Sequence, residues 1–160
     1  MHRTKKLVFK LKRAIIKKEY ENNNLEGRRM KMMIVDDDPV SRSILVRVLF
    51  GLGKCVELNN GTDALTEFES KITTEDRYNL VTLDISMPDI SGITVLYKMR
   101  KIEEQYAIAE AERAKIVMVT ADGNRNRIKT AIEEKCTYYL VKPFNKEDVL
   151  EKFRKQQIIS

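Results

Sequence analysis

The chain has 160 residues, 42% of them hydrophobic, and a net charge of +6. This length supports one sizeable core with a short appendage and excludes a second full domain. Residues 1–29 hold ten Lys or Arg against three Glu, a net charge of +7, so the remaining residues carry a net charge of −1. Any argument for an acidic partner therefore depends on the first 29 residues alone.

The cysteines and the apolar runs bear on the cellular compartment. Cys55 and Cys136 have neither the clustering of metal ligands nor the density of a disulfide scaffold, which indicates reduced, buried thiols. No apolar run approaches the roughly 20 residues of a membrane span. The first twenty residues also lack the uncharged centre and the cleavage site of a secretory signal. We therefore expect a cytoplasmic protein.

Short apolar runs alternate with helically spaced segments from residue 31 onwards. The predicted elements, in chain order, are a strand over 31–36, a helix from Pro39 to the glycines at 51 and 53, a weaker strand over 54–59, a helix over 61–70, a strand over 78–85, a helix over 93–107, a strand over 115–120, a helix over 125–135, a strand over 138–141 and a helix over 146–155. Continuously apolar strands alternating with helices indicate an α/β fold with a parallel sheet covered on both faces. We predict a flavodoxin-like, doubly wound (βα)5 sheet of five strands in three layers.

Polar side chains stand where four of the predicted strands end. Asp36 and Asp37 end the first strand, Asp84 the third and Thr120 the fourth, and Lys142 follows the fifth. Each residue alone has an ordinary explanation, such as a helix cap or a solvated charge. Because ligands of open α/β sheets gather at the carboxyl ends of the strands, their coincidence predicts a functional site.

This set of side chains matches the chemistry of phosphoryl transfer. Three converging carboxylates require a cation, and hard oxygen ligands are typical of Mg²⁺. A carboxylate beside Mg²⁺ can attack phosphorus as a nucleophile and form an aspartyl phosphate. A lysine ammonium and a hydroxyl donor would stabilise the transferring oxygens.

The segments "MIVDDDP", "LVTLDISMPDISG", "IVMVTA" and "YYLVKPF" occur in that order. Together they resemble the receiver domain of bacterial two-component response regulators, over residues 30–160. The resemblance implies Asp84 as the phosphoacceptor, with Mg²⁺ bound by Asp36, Asp37, Asp84 and the backbone carbonyl of Ser86. It also implies Thr120 as the switch hydroxyl, Lys142 as the phosphate-contacting lysine before a cis bond to Pro143, and Tyr139 as the aromatic switch residue. Ser86 and Asp122 stand at the two positions that tune phosphate loss in this family.

The same resemblance implies partners. The phosphoryl donor would be a sensor histidine kinase or a histidine phosphotransfer protein, since the only histidine of the chain, His2, lies outside the receiver-like part. Phosphorylation would bias a protein-binding surface formed by the fourth helix, the fifth strand and the fifth helix. The chain ends after the last predicted helix, so we expect a single-domain signalling receiver without an output domain, acting as a phosphorelay shuttle or a chemotaxis-type regulator. Its only catalysis would be its own phosphorylation and slow dephosphorylation.

Asp38 separates this interpretation from a rival one. A carboxylate directly before Pro39 predicts an N-cap for the first helix. However, "DDDPV" also fits the D-x-D-x-[TV] pattern of haloacid-dehalogenase-type phosphatases, which depend on Mg²⁺. In that alternative Asp36 would be the nucleophile and Asp38 the acid/base, with Thr120 and Lys142 as later motifs. It leaves "LDISMPDISG" without a role.

The basic extension over residues 1–29 has three interpretations. It is a disordered segment, a misassigned start, or a basic amphipathic helix over "KKLVFKLKRAIIKK". A basic helix would suit a membrane surface or a nucleic acid. A protein that binds nucleic acid through this extension is therefore a third functional alternative, and membrane contact is expected only through residues 1–29.

Overall fold

The computed structural model describes residues 30–121 and 123–160, in which five strands alternate with five helices. These are β1 (Met30–Val35), α1 (Pro39–Leu49), β2 (Gly53–Leu58), α2 (Gly61–Lys71), β3 (Leu80–Asp84), α3 (Gly92–Gln105), β4 (Lys115–Thr120), α4 (Arg125–Glu133), β5 (Tyr138–Val141) and α5 (Lys146–Lys155). A short 3-10 turn, Glu110–Glu112, lies between α3 and β4. The predicted alternation is confirmed.

The strands form one parallel sheet in the order β2-β1-β3-β4-β5. In this order the chain moves first to one side of β1 and then to the other, which is the doubly wound topology predicted from the sequence. Its switch point lies between β1 and β3, where Val35 pairs with Leu83. The edge beyond these two residues is therefore where the fold places a ligand site.

Side chains of successive strand residues point to opposite faces of the sheet and form two cores. One core packs α2, α3 and α4 against the strand residues Met33, Val35, Val81, Leu83, Ile116 and Met118. The other packs α1 and α5 against Met32, Ile34, Leu80, Val117, Val119 and Leu140. The result is the three-layer arrangement that the continuously apolar strands predicted. None of the helices among the described residues is both long and apolar enough to cross a membrane.

Side-chain oxygens cap the helices at the edge where the strands end. The capping residues of α1 to α5 are, in order, Asp38, Asn60, Ser91, Asn124 and Asn145. Gly92 opens α3 against the end of β3, where an added Cβ would lie 2.0 Å from the Asp84 carbonyl oxygen. Any side chain at position 92 would push α3 away from Asp84, so the glycine lets this loop fold closely around the end of β3.

Several boundaries in the structure differ from the predicted ones. β1 ends at Val35, one residue before the predicted end, which leaves Asp36 beyond the strand. The α3 helix ends at Gln105 instead of Ala107, because Ala107 adopts a left-handed φ of 53°. The cysteines are free as predicted, but the prediction of buried thiols is wrong in degree, since both are only half-buried. Residues 1–29 and Asp122 lie outside the described residues, so the predictions on the extension and on Asp122 are not tested.

Candidate functional site

Three carboxylates meet at the switch point of the sheet. Asp36 and Asp37 follow β1, Asp84 ends β3, and one carboxylate oxygen from each lies within 4.8 Å of the others. Asp36 and Asp84 are buried, with exposed fractions of 1% and 5%, whereas Asp37 is exposed. Neighbouring parallel strands end at the same edge of the sheet. Asp84 therefore lies beside Asp36 and Asp37, although at least 47 positions separate it from them in the sequence.

Lys142 joins this group from the far side of the sheet. Its Nζ lies 2.8 Å from Asp36 Oδ2 and 3.4 Å from Asp84 Oδ1. Its backbone amide donates to the Thr120 carbonyl at 2.8 Å, and the Lys142–Pro143 peptide is cis, as the family resemblance implied. The ammonium therefore contacts two of the three carboxylates directly.

The charges in the cleft change how Asp84 ionises. Burial raises the pKa of the Asp84 carboxyl to about 6, with Lys142 opposing the rise and Asp36 and Asp37 adding to it. For Lys142, burial would lower the pKa, but the hydrogen bond to Asp36 and the charges of Asp84 and Asp36 raise it instead. The lysine thus stays charged, and one ammonium faces three carboxylates in a site that favours a further cation.

Asp38 belongs to α1 and not to the carboxylate group. Its side chain accepts hydrogen bonds from the Val40 and Ser41 amides at 3.2 and 3.0 Å and from Ser41 Oγ at 2.7 Å. Hydrogen bonds from the Ser41 side chain and amide, followed by that from Val40, lower the pKa of Asp38. The predicted N-cap is confirmed, and its carboxylate is committed to the helix start.

Thr120 and Tyr139 occupy the strands beyond Asp84. Thr120 ends β4 and is buried, with 2% exposed, and it lies at the same edge as Asp84 because Asp84 pairs with Val119. Tyr139 lies within β5, half-buried, with its ring stacked on Tyr138 at a centroid distance of 5.6 Å. Its ring packs against the core that holds α2, α3 and α4.

Ser86 lies two residues beyond Asp84 and has a partner that sequence reasoning missed. Ser86 Oγ accepts a 2.9 Å hydrogen bond from Arg127 Nη1, in the first turn of α4. Both residues, with Asp37, line a cleft of about 490 Å³ beside the carboxylates. The sequence offers no local signal for this contact, because 41 residues separate the two side chains.

Asp89 is a second residue whose role was missed. Its carboxylate accepts from the Gly61 amide at 3.2 Å and the Thr62 amide at 2.8 Å, at the start of α2. Burial on its own would raise the pKa of Asp89, but the amides of Ile90, Thr62 and Gly61 lower it to about 2. Asp89 thereby ties the loop after β3, which carries Ser86, to the neighbouring helix.

Comparisons with known proteins agree with this geometry. The sequence model of the family described as "Response regulator receiver domain" matches residues 32–154. The chain is 32% identical over 127 residues to the chemotaxis protein CheY of Bacillus subtilis, covering 78% of this chain and 95% of that protein.

Two solved structures extend the comparison to the fold. A CheY-like response regulator receiver domain protein from Methanospirillum hungatei superposes with a TM-score of 0.64 at 25% identity, over 80% of this chain and 93% of the other. CheY from Borrelia burgdorferi, solved in a CheX-CheY-BeF3-Mg²⁺ complex, gives a TM-score of 0.68 at 21% identity, over 82% and 90%. The second likeness is one of fold alone.

Proposed function

The chain belongs to the response regulator receiver domain family, and we propose that it accepts a phosphoryl group on Asp84 from a histidine kinase or a histidine phosphotransfer protein. One observation carries this proposal: the Asp84 carboxylate lies at the end of β3, buried, beside two further carboxylates and 3.4 Å from the Lys142 ammonium. Receivers are signalling domains and not enzymes in the usual sense. The proposed chemistry is limited to phosphorylation of Asp84 and its slow reversal.

The donor set fits Mg²⁺. Three carboxylate oxygens within 4.8 Å of one another are hard ligands, and their mutual repulsion contributes to the raised pKa of Asp84. Asp36, Asp37 and Asp84, with the Ser86 backbone carbonyl, would hold the ion. When bound, Mg²⁺ offsets the negative charge of the carboxylates and of the phosphoryl oxygens.

The residues of the chain then carry the transfer. An Asp84 carboxylate oxygen attacks phosphorus, the new O–P bond forms as the donor's N–P bond breaks, and the electron pair stays on the imidazole. Lys142, which already lies beside Asp36 and Asp84, would donate a hydrogen bond to a phosphoryl oxygen. The Thr120 hydroxyl would donate to another.

The signal would leave through the surface of α4, β5 and α5. Ile132 on α4 and Val141 on β5 are exposed apolar residues on this surface, with exposed fractions of 57% and 39%. Movement of Thr120 toward the phosphoryl group would free space for the half-buried Tyr139 ring, which changes the surface that a protein partner meets. We place the signalling unit in residues 30–160, with residues 1–29 as an extension.

The phosphatase alternative is not favoured. It requires the Asp38 carboxylate as an acid/base, and that carboxylate already accepts three hydrogen bonds at the start of α1. It also gives no role to Asp84, whose carboxylate lies within 4.8 Å of that of Asp36. The nucleic-acid alternative depends on residues 1–29, outside the described residues.

The test is incubation with acetyl phosphate and Mg²⁺, followed by intact-mass measurement of the wild-type protein, Asp84→Asn and Asp36→Asn. We expect one phosphoryl adduct on the wild-type protein, none on Asp84→Asn, and none when EDTA removes the metal. An adduct that persists in Asp84→Asn but is lost in Asp36→Asn would contradict the proposal and support the phosphatase.

A further inference from the structure

We propose that Arg127 is a donor-recognition residue of the phosphorylation site, with its guanidinium contacting the phosphoryl group of the incoming donor. This inference rests on the proposed function, because it concerns how the phosphoryl group reaches Asp84. It adds a side chain from α4 to the residues that the strand ends supply.

The backbone of Arg127 is held in place by the start of α4. Asn124 caps this helix, and its Oδ1 accepts from the Asn126 and Arg127 amides at 3.0 and 3.4 Å. A residue in the first turn of a capped helix has little backbone freedom. The direction in which the Arg127 side chain leaves the helix is therefore defined before any ligand arrives.

A hydrogen bond holds the Arg127 side chain in the lining of the cleft. Arg127 Nη1 donates to Ser86 Oγ at 2.9 Å, and both residues line the cleft of about 490 Å³ that also contains Asp37. Within residues 30–121 and 123–160, Ser86 is the only hydrogen-bond partner of this guanidinium. Because a guanidinium carries five N–H donors, most of its donor capacity is still available to a ligand in the cleft.

The charge of the cleft explains why a donor needs Arg127. Asp36, Asp37 and Asp84 carry three negative charges, which the Lys142 ammonium and a bound Mg²⁺ together balance. A phosphoryl donor brings further negative charge, which these two cations leave unmatched. The Arg127 guanidinium lines the same cleft as Asp37, where it attracts the phosphoryl oxygens, and its planar fork matches them in a bidentate contact.

The role of Arg127 ends when transfer is complete. The Asp84 oxygen–phosphorus bond forms as the donor's P–O or P–N bond breaks. The electron pair leaves with the acetate of an acetyl phosphate donor or with the amine of a P–N donor, and the amine takes a proton from water. Arg127 thus governs the rate at which the adduct forms and leaves its hydrolysis unchanged. This division separates donor recognition from control of phosphate lifetime.

The test compares formation and decay of the adduct, by intact mass with Mg²⁺, in the wild-type protein, Arg127→Met and Arg127→Lys. Two donors are used, acetyl phosphate and phosphoramidate, which share only the phosphoryl group. For Arg127→Met we expect the second-order rate constant of adduct formation to fall about 3- to 10-fold with both donors, as for loss of a partly exposed charge-assisted contact. Arg127→Lys should recover part of this loss, and the first-order decay constant should not change.

Two further variants serve as controls. Arg125→Met removes another exposed arginine, the first residue of α4, and should leave adduct formation at the wild-type rate. In a Ser86→Ala background Arg127→Met should reduce the rate constant of adduct formation less than it does in the wild-type background. The reason is that Ser86→Ala already releases the Arg127 guanidinium from its position in the cleft.

Several results would overturn the inference. These are wild-type formation rates in Arg127→Met, faster decay with unchanged formation, an effect with acetyl phosphate alone, or an equal loss in Arg125→Met. Each of them still requires an adduct on the wild-type protein. If the wild-type protein forms no adduct, the proposed function itself fails, and the two failures are therefore distinguishable.

Discussion

Lys142 and Asp36, 106 residues apart in the chain, form a 2.8 Å ion pair at the end of the parallel sheet. The lysine neutralises part of the negative charge that the site gathers, and in the proposed function it would donate a hydrogen bond to a phosphoryl oxygen. Its second contact, 3.4 Å to Asp84, makes it the one described residue that contacts both buried carboxylates of this site.

Replacing Lys142 by Met should separate metal binding from phosphoryl transfer. The three carboxylates remain, and the ammonium that competes with Mg²⁺ for them is removed. We therefore expect Mg²⁺ to bind at least as tightly as it does to the wild-type protein, as measured by calorimetric titration. Adduct formation with acetyl phosphate should fall by at least about tenfold, as for loss of a charge that stabilises the transferring group. Lys146→Met, at an exposed lysine that begins α5, is the matched control. Loss of Mg²⁺ binding in step with phosphorylation would contradict this assignment.

Asp84→Asn should stabilise the metal-free protein, and more so at neutral pH than at pH 5. The folded-state pKa of about 6 lies above the ordinary value of 3.8, so the native state binds a proton more tightly than the unfolded state. The wild-type protein therefore loses stability as pH rises through 6, whereas the amide does not titrate. At pH 7.5 we expect a gain on the order of 2 kcal/mol in the free energy of unfolding, measured by urea denaturation in EDTA. A larger gain at pH 5 would reverse the sign and contradict the account.

Asp38→Ala tests the capping role against the catalytic one. Loss of the bonds to Val40 and Ser41 should lower the Tm by roughly 2–4 °C, as is typical for a lost N-cap. Asp38→Asn keeps a good cap and should restore the Tm, and both variants should still form the acetyl-phosphate adduct. An Asp38→Asn protein that folds normally but forms no adduct would favour the acid/base role.

Thr82→Val should stabilise the protein. Thr82 lies in the middle of β3, fully buried, and its Oγ1 has no hydrogen-bond partner among the described residues. An apolar group of the same shape removes the desolvation cost of this hydroxyl, for an expected gain of about 1 kcal/mol in urea unfolding. Thr82→Ser keeps the hydroxyl and loses the methyl group, so it should destabilise. A less stable Thr82→Val protein would show that the hydroxyl is satisfied in solution.

The sequence was sufficient to predict the parallel sheet and the edge of it that carries the acidic side chains. Continuous apolar runs define parallel strands, and the ends of such strands share one edge, so Asp36, Asp37 and Asp84 could be brought together without coordinates. The Asp38 cap could also be predicted, because it depends only on Asp38 and on the backbone amides two and three positions later. Both predictions follow from short-range pattern and general topology.

Contacts between a loop and the start of a helix could not be predicted in the same way. Asp89 reaches Thr62 across 27 residues, and Arg127 reaches Ser86 across 41. No periodicity links these positions, because each contact depends on how the loop after β3 packs against the start of a helix once the sheet has formed.

The end of α3 shows a similar limit of sequence reasoning. The Arg100 guanidinium donates to the Lys135 carbonyl at 3.0 Å and to a Glu103 carboxylate oxygen at 2.7 Å. The other Glu103 carboxylate oxygen accepts from the Ala114 amide. These contacts hold the chain on its way from α3 into β4. The sequence pattern predicted a helix over 93–107 and none of these contacts.

The central claim, that Asp84 carries the phosphoryl group, is tested most directly by locating the modification without any substitution. The wild-type protein is phosphorylated with acetyl phosphate and Mg²⁺ and treated with borohydride, which reduces an acyl phosphate to the alcohol and releases phosphate. Peptide mass spectrometry then reads the reduced position. We predict reduction at residue 84 alone, and reduction at residue 36 would contradict the account.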